Sequence, residues 1–327
     1  MTPLARPTSR AAVVYNPVKV DVAKLRSVVG AAEREHGWRA SLWLETSPED
    51  PGAGVARRAV EEGVDVVMAA GGDGTVRAVA EGLRSTGTPL TLLPSGTGNL
   101  LARNLHLPLS RLEPAVTTAF TGVDQAIDVG LVDIEREDGE REEHAFVVMA
   151  GVGLDARMVA NARPELKKRV GWLAYVDAIA RSLRDTEAVR IHYRVDDGPT
   201  RSMRAHTLLV GNCGLLPGNI LLLPDAEIDD GVLDVVTLRP EGFAGWVQIW
   251  SKIVWENGVL RRSTVGRQIA SRQRPVRSLR YFETRGITVA FPRALEFELD
   301  GDEFGSVVGF RATVDPAGLI VRTPRAH

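Results

Sequence analysis

"VDVVMAAGGDGTVRAVAEGL", residues 64–83, decides how the first part of this 327-residue chain is read. Val64, Val66, Val67 and Met68 form a short apolar run suited to a buried strand of a parallel sheet. Val76, Val79, Ala80 and Leu83 then recur at helical spacing, with Thr75 expected as the N-cap. Between strand and helix stand Gly71, Gly72, Asp73 and Gly74. Such a junction presents backbone N–H groups at the positive end of a helix dipole, where an anion is favoured. A tight turn in which glycine merely supplies unusual dihedrals explains the same spacing. Asp73 tilts the choice toward an anion, because a carboxylate beside a phosphate generally needs a divalent cation between them.

Working outward, residues 11–130 alternate apolar strands with amphipathic helices. "AAVVYNP", "RASLWLETS", "VDVVMAAGG" and "PLTLLPSGTGN" read as strands, separated by helical patterns such as "VAKLRSVVGAAEREHG". This alternation predicts an α/β nucleotide-binding domain with a parallel sheet, helices on both faces and ligands outside the carboxyl ends of the strands. Past residue 125 strands dominate, which predicts a β-rich, antiparallel, sandwich-like second domain over 126–310. The acidic run "EREDGEREEH" at 135–144 is read as a solvated hairpin. A cleft between the domains is the expected active site.

Composition narrows the classes. Forty Lys and Arg against 42 Asp and Glu give a net charge of −2, so there is no global case for nucleic-acid binding. Cys213 is the single cysteine, which excludes an internal disulfide. The six histidines are scattered, so a zinc site is not expected. The first residues lack the apolar stretch of a signal peptide, and no run has the roughly 18 apolar residues that span a bilayer. A cytoplasmic protein is expected.

A second glycine loop, "LLPSGTGNLLARNL" at 92–105, also follows a strand and precedes a short helix. Neither loop is a P-loop or a dinucleotide fingerprint. Together, "GGDGTVRAVAEGL" and "LPSGTGNLLARNL" resemble the diacylglycerol kinase catalytic superfamily, which includes sphingosine and ceramide kinases and bacterial lipid kinases. The resemblance continues through "YNP" (15–17), "IDVG" (127–130), "GVGLDARMV" (151–159), "LPDAEIDDGVLDVV" (223–236) and "LDGDEFG" (299–305).

The resemblance implies that the C-terminal residues 311–327 return to the first domain, here taken as residues 1–125. It implies ATP and Mg²⁺ as cofactors. Asn16, Pro17, Thr46 and the loop Gly71, Gly72, Asp73, Gly74 and Thr75 would contact the nucleotide, with Asp73 reaching the catalytic Mg²⁺ directly or through water. Ser95, Gly96, Thr97 and Asn99 would complete the site, and Arg103 matches an arginine of the second motif. In the first motif small residues often follow Asn-Pro, where this chain has Val18-Lys19-Val20. Many members carry an aspartate after the asparagine of the second motif, where this chain has Leu100. The carboxylate–metal network would then be smaller, or fed by Asp128 or another acid. Asp234 matches the side-chain ligand of a structural Mg²⁺.

The motif aspartate-glycine-glutamate reads Asp300-Gly301-Asp302-Glu303 here, which puts Asp302 at the position of the catalytic base. Glu303 has the longer side chain, but in an extended strand it faces the opposite side. By itself the stretch is also an Asp-Gly hairpin turn with solvated acids.

The partner implied is a lipid substrate at a membrane surface, most plainly diacylglycerol, with a homodimer left open. Phe243, Trp246, Trp250 and Ile253 form a helical stripe followed by an arginine-rich stretch to residue 280. That pattern suits either peripheral membrane contact or a helix packed into the second domain. Lys167, Lys168 and Trp172, in the helix expected over 165–183, pose the same choice. An NAD-kinase-like activity on a soluble acceptor and a non-catalytic nucleotide or lipid sensor are the competing readings.

Overall fold

The computed structural model describes residues 9–153, 188–216, 220–239 and 279–325. The helix expected at 165–183, the end of the 151–159 motif and the 242–280 segment up to residue 278 lie outside the described residues. The chain divides into two compact units, residues 1–129 with 316–327, and residues 130–315.

The first unit contains β1 (Arg10–Tyr15), α1 (Val22–His36), β2 (Arg39–Glu45), α2 (Ala53–Glu61), β3 (Val66–Gly71), α3 (Asp73–Leu83), β4 (Leu90–Pro94), α4 (Leu100–Asn104), α5 (Leu112–Thr121) and the start of β5 (Val123–Glu135). The second contains β6 (Arg141–Phe146), β7 (Met149–Val152), β8 (Val189–Val195), β9 (Arg201–Ala205), β10 (Thr207–Gly211), β11 (Leu215–Leu216), β12 (Ile220–Leu221), β13 (Leu233–Leu238), β14 (Leu279–Thr284), β15 (Gly286–Leu299) and most of β16 (Asp302–Thr323), whose last residues belong to the first unit.

In the first unit β4, β3, β1 and β2 lie side by side and parallel, with Val321 of β16 paired parallel to Leu90. Ala11, Val13 and Tyr15 point to one face of the sheet and join a buried cluster with α1 and α5. Their neighbours Ala12 and Val14 alternate to the other face, and α2 and α3 pack together against the strands. Burying a Val, Leu or Met on such a face contributes about 1.5–3 kcal/mol, and β3 is buried along its whole length. The first helix is well delimited. Asp21 caps it by accepting from Lys24 N–H, and Gly37, at φ 67°, ends it.

One boundary differs from expectation. Gly72, not Thr75, is the N-cap of the helix that follows β3. The Gly72 carbonyl accepts from Val76 N–H at 3.0 Å, so the first turn closes earlier and Thr75 is buried inside it.

The second unit is antiparallel, in the order β14-β13-β10-β7-β15. A register break between Ala290 and Leu295 bends β15, so that residues 287–290 pair with β8 and residues 297–299 pair with β7. The buried cluster includes Phe146, Leu208, Val235, Phe297 and Phe310. The continuous stretch "HAFVVMAG", residues 144–151, is divided between β6 and β7, because the N–H groups of Val147, Val148 and Met149 turn to a carboxylate instead of a ladder. Among the described residues no helix is long and apolar enough to cross a membrane.

Candidate active site

Four backbone junctions define one edge of the first unit. Each strand pairing continues one residue past the strand: Thr46 N–H to Tyr15 O at 3.0 Å, Asn16 N–H to Ala70 O at 2.9 Å, and Ser95 N–H to Gly71 O at 3.1 Å. Since the strands run β4-β3-β1-β2, the sequence-predicted residues fall in the spatial order Ser95, Gly71, Asn16, Thr46. The chain leaves β1 toward β2 on one side and returns with β3 on the other. The topological switch therefore lies between Asn16 and Gly71, where open parallel sheets bind their ligands.

The two glycine loops are bolted together there. The Asp73 carboxylate accepts from Asn99 N–H at 3.0 Å and from Leu100 N–H at 2.5 Å, capping the start of α4 from 26 and 27 residues away. Asn99, at φ 48°, clasps its own loop by accepting from Gly96 N–H and donating to Gly96 O. Arg103 donates through Nε to Gly98 O at 2.6 Å, so it is a staple of the loop, not a free surface charge. A Cβ on Gly98 would run into Asp73 Oδ2, and one on Gly96 would sit 2.9 Å from Gly72 Cα. These glycines are needed for the close approach of the loops to each other.

Gly72 is different. Its backbone is extended, and a Cβ there would meet nothing nearer than Gly96 Cα at 3.9 Å. No internal contact requires a glycine at that position. Gly72 makes no side-chain cap for α3, so the first-turn N–H groups lack the usual capping oxygen from the N-cap residue. Thr97 stands exposed at the tip of the second loop and Pro17 is exposed beyond Asn16, while Thr46 and Thr75 are buried.

In the second unit the Asp300-Gly301 pair forms a two-residue hairpin turn, with φ of 49° and 90°. Asp302 and Glu303 are exposed on the strand that follows, opposite Leu299 and Glu298. Asp300 is not a solvated turn acid. It is 2% exposed, and its carboxylate accepts from Val147, Val148 and Met149 N–H at 2.8–2.9 Å. Its own N–H donates to Met149 O. From the other side, Asn212 and Cys213 N–H donate to Val148 O. Burial, and then the charge of Asp300, push the Cys213 thiol well above its ordinary pKa and leave it unsuited to thiolate chemistry.

Comparison with known proteins follows the same division. The diacylglycerol kinase catalytic domain model matches residues 10–132, and the YegS C-terminal NAD kinase beta sandwich-like domain model matches residues 147–322. The chain belongs to the diacylglycerol kinase family. It is 30% identical over 248 residues to a diacylglycerol kinase of Bacillus subtilis, covering 73% of this chain and 77% of that one. It is 33% identical over 223 residues to a Pseudomonas putida protein named "Probable lipid kinase YegS-like", covering 65% and 68%. A Synechocystis protein is 31% identical over 176 residues, which make up 53% of this chain and 38% of that protein. Among solved structures, a diacylglycerol kinase from Bacillus anthracis superposes with a TM-score of 0.66 over 97% of each chain, at 16% identity. Yeast NADH kinase superposes with a TM-score of 0.51 over 98% of this chain and 84% of that one, at 9% identity. At those identities the likeness is one of fold.

Two further acids that the diacylglycerol kinase family motifs single out are both buried. Asp128 is buried, and its carboxylate accepts from Ala317 N–H at 2.7 Å, holding the returning end of the chain. Asp234 lies on β13 between Gly211 of β10 and Glu283 of β14. Burial, followed by the charges of Glu283, Asp230 and Asp225, raises its pKa to about 6. Among the described residues no three His, Cys, Asp or Glu side chains group to hold a metal. A cation at Asp234 would complete its oxygen shell with backbone carbonyls and water.

The residue that the sequence reading left without a role is Asp300. Its signals are the turn-forming pair Asp-Gly and its place at the head of the aspartate-glycine-glutamate motif, and neither says anything about the three amides it collects from 151–153 residues away.

Proposed function

We propose that this member of the diacylglycerol kinase family is an ATP- and Mg²⁺-dependent lipid kinase, with diacylglycerol to phosphatidic acid as the leading reaction. The observation that carries it is the pair of glycine loops clamped by Asp73 at the sheet's switch point, beside a helix N-terminus without a side-chain cap. Phosphoryl transfer needs alignment and charge neutralisation more than covalent help. The N–H groups of residues 72–75 would receive phosphate oxygens, and Asn16, Thr46, Ser95 and Thr97 would line the nucleotide along the same edge.

In the transfer, the lipid hydroxyl oxygen bonds to the γ-phosphorus as the bridging bond to ADP breaks. The hydroxyl proton passes to the Asp302 carboxylate. A bound Mg²⁺ would neutralise phosphate charge, with Asp73 as its carboxylate at the loops. A second Mg²⁺ would be structural, held by Asp234, whose buried carboxylate among three other acids is the kind of group that a cation stabilises.

The test is transfer of labelled γ-phosphate from ATP into mixed micelles of diacylglycerol, a sphingoid base or a polyprenol, with NAD as a soluble acceptor. Label in a lipid, reduced by about 10²–10⁴-fold in Asp302→Ala and far less in Glu303→Ala, is the expected result. Label in NAD alone would replace the reading with a soluble acceptor. ATP binding without transfer to any acceptor would leave a sensor.

Asp234 yields a second prediction. Its folded-state pKa lies above the ordinary 3.8, so ionisation destabilises the metal-free fold. That penalty is absent below about pH 3.8, grows as pH rises toward 6, and is fully present above it. Millimolar Mg²⁺ should therefore raise the melting temperature more at about pH 7.5 than at about pH 5, where protons compete for the carboxylate. Asp234→Asn should abolish the difference. An equal Mg²⁺ effect at both pH values, unchanged by the substitution, would remove Asp234 as the ligand.

A further inference from the structure

We infer that Arg136 is a positioning residue for the transfer: it pins a β-bulge at Phe304-Gly305 that puts Asp302, and not Glu303, opposite Leu299. The catalytic meaning of that choice rests on the reading of Asp302 as the proton acceptor. On β16, Ser306 pairs with Glu296 and Glu303 pairs with Glu298. Phe297 alone therefore stands opposite two residues, Phe304 and Gly305, which defines a bulge. Gly305 takes φ 68°, a left-handed conformation that glycine enters without strain.

The extra residue decides which acid faces which way. Val307 pairs with Leu295 and Ser306 with Glu296, and an unbroken ladder in that register would set Glu303 opposite Leu299. The bulge shifts the register by one, so Asp302 takes that place and Glu303 falls opposite Glu298. Directly opposed residues share a face of the sheet, and a one-residue slip exchanges the faces. The bulged register also keeps Asp300-Gly301 as a two-residue turn, whereas the other would draw Asp302 into the turn itself.

Arg136 holds this bulge from outside β16. It follows β5 directly, in the acidic hairpin expected to be merely solvated. Its Nη1 donates to the two carbonyls that flank Gly305, those of Phe304 and Ser306, the latter at 3.1 Å. A Cβ on Gly305 would lie 3.2 Å from the same nitrogen. Glu142 orients the guanidinium, accepting from Nε at 2.9 Å and from Nη2 at 3.2 Å, a bidentate pairing. His144 Nε2 lies 3.0 Å from Glu142 Oε2, and the His144 ring meets Phe304 edge-on with centroids 4.9 Å apart. The bonds from Arg136 and then His144 pull the Glu142 carboxyl down to a pKa of about 2, so it is ionised at neutral pH.

The test measures kcat and the KM for ATP in Arg136→Ala, Arg136→Lys and Gly305→Ala. Asp302→Asn and Glu303→Gln are each introduced into wild type and into Arg136→Ala. The register is read independently of turnover, from the cross-strand NMR contact of Leu299 with residue 302 or residue 303. Arg136→Ala is expected to lower kcat by about ten- to 10²-fold, the scale of a slightly misplaced reacting group, with the KM for ATP within about twofold. Arg136→Lys keeps a donor for the carbonyls and should recover part of the loss. Gly305→Ala, strained at a positive φ, should act in the same direction as Arg136→Ala. In wild type Asp302→Asn should cost far more than Glu303→Gln. In Arg136→Ala the two costs should converge, as the Leu299 contact passes in part to residue 303. If Arg136→Ala does not fold, the same comparison made in Gly305→Ala decides. An Arg136→Ala variant in which Asp302 stays dominant and Leu299 keeps its contact with residue 302 overturns the inference, as does one with wild-type kcat. A wild type that phosphorylates no acceptor, in a protein whose register still moves in Arg136→Ala, overturns the kinase reading alone and leaves Arg136 as the residue that sets the register.

Discussion

Asp300→Ala is expected to destabilise the protein by on the order of 4 kcal/mol, read as a lower denaturant midpoint with little change in slope. The carboxylate is 2% exposed and is the acceptor for three consecutive amides, Val147, Val148 and Met149. Removing it leaves those buried donors without their acceptor, at about 1–3 kcal/mol each before relaxation. Alanine also inherits φ 49°, where an ordinary side chain costs about 1–2 kcal/mol. Asp300→Gly separates the two costs, because glycine accepts the dihedral but restores no acceptor. If Asp300→Gly were as stable as wild type, the carboxylate bracket would not be what holds the 147–149 segment. The loss would be large against the roughly 5–15 kcal/mol that holds a domain together.

Asp73→Ala is expected to cut kcat/KM for phosphoryl transfer by about 10²–10³ or more, the scale seen when a preorganised electrostatic group is removed from a transition state. Its two oxygens hold Asn99 and Leu100 N–H, and Asn99 in turn holds Gly96. Losing that cap frees the second loop from the first. Asp73→Asn keeps one acceptor oxygen but presents an N–H₂ group to the other amide, so the clamp is half lost and the negative charge wholly lost. A large fall in turnover with ATP affinity nearly kept in the asparagine variant would point to the charge. Equal losses of affinity and turnover in both variants would point to the clamp. Near-wild-type turnover in both would exclude Asp73 from the chemistry.

The alternation of strand and helix through residue 94 was legible because its signals are local. Val76, Val79, Ala80 and Leu83 do lie on α3, and the apolar run from Val66 does form a strand buried along its length. The loops were legible for the same reason, since glycine next to hydroxyl residues at a strand end is a sequence-local pattern. What escaped was long-range. Thr75 looked like a cap, but the Gly72 carbonyl closes the turn first. The break inside "HAFVVMAG" exists only because Asp300, more than 150 residues on, takes the amides of that segment. Arg103 and Asn99 could be matched to a motif, yet their observed work is to staple Gly98 and Gly96 in place. No periodicity encodes such contacts.

The most direct test of the account is the ATP dissociation constant of Gly72→Ala, measured with its melting curve. The protein itself has room for that methyl, whose nearest neighbour would be Gly96 Cα at 3.9 Å, and its extended backbone suits any residue. If the glycine serves the approach of a phosphate, the variant should melt like wild type and bind ATP at least about tenfold more weakly, a loss of roughly 1.4 kcal/mol. Unchanged ATP affinity in a stably folded Gly72→Ala would contradict the placement of the nucleotide on this loop.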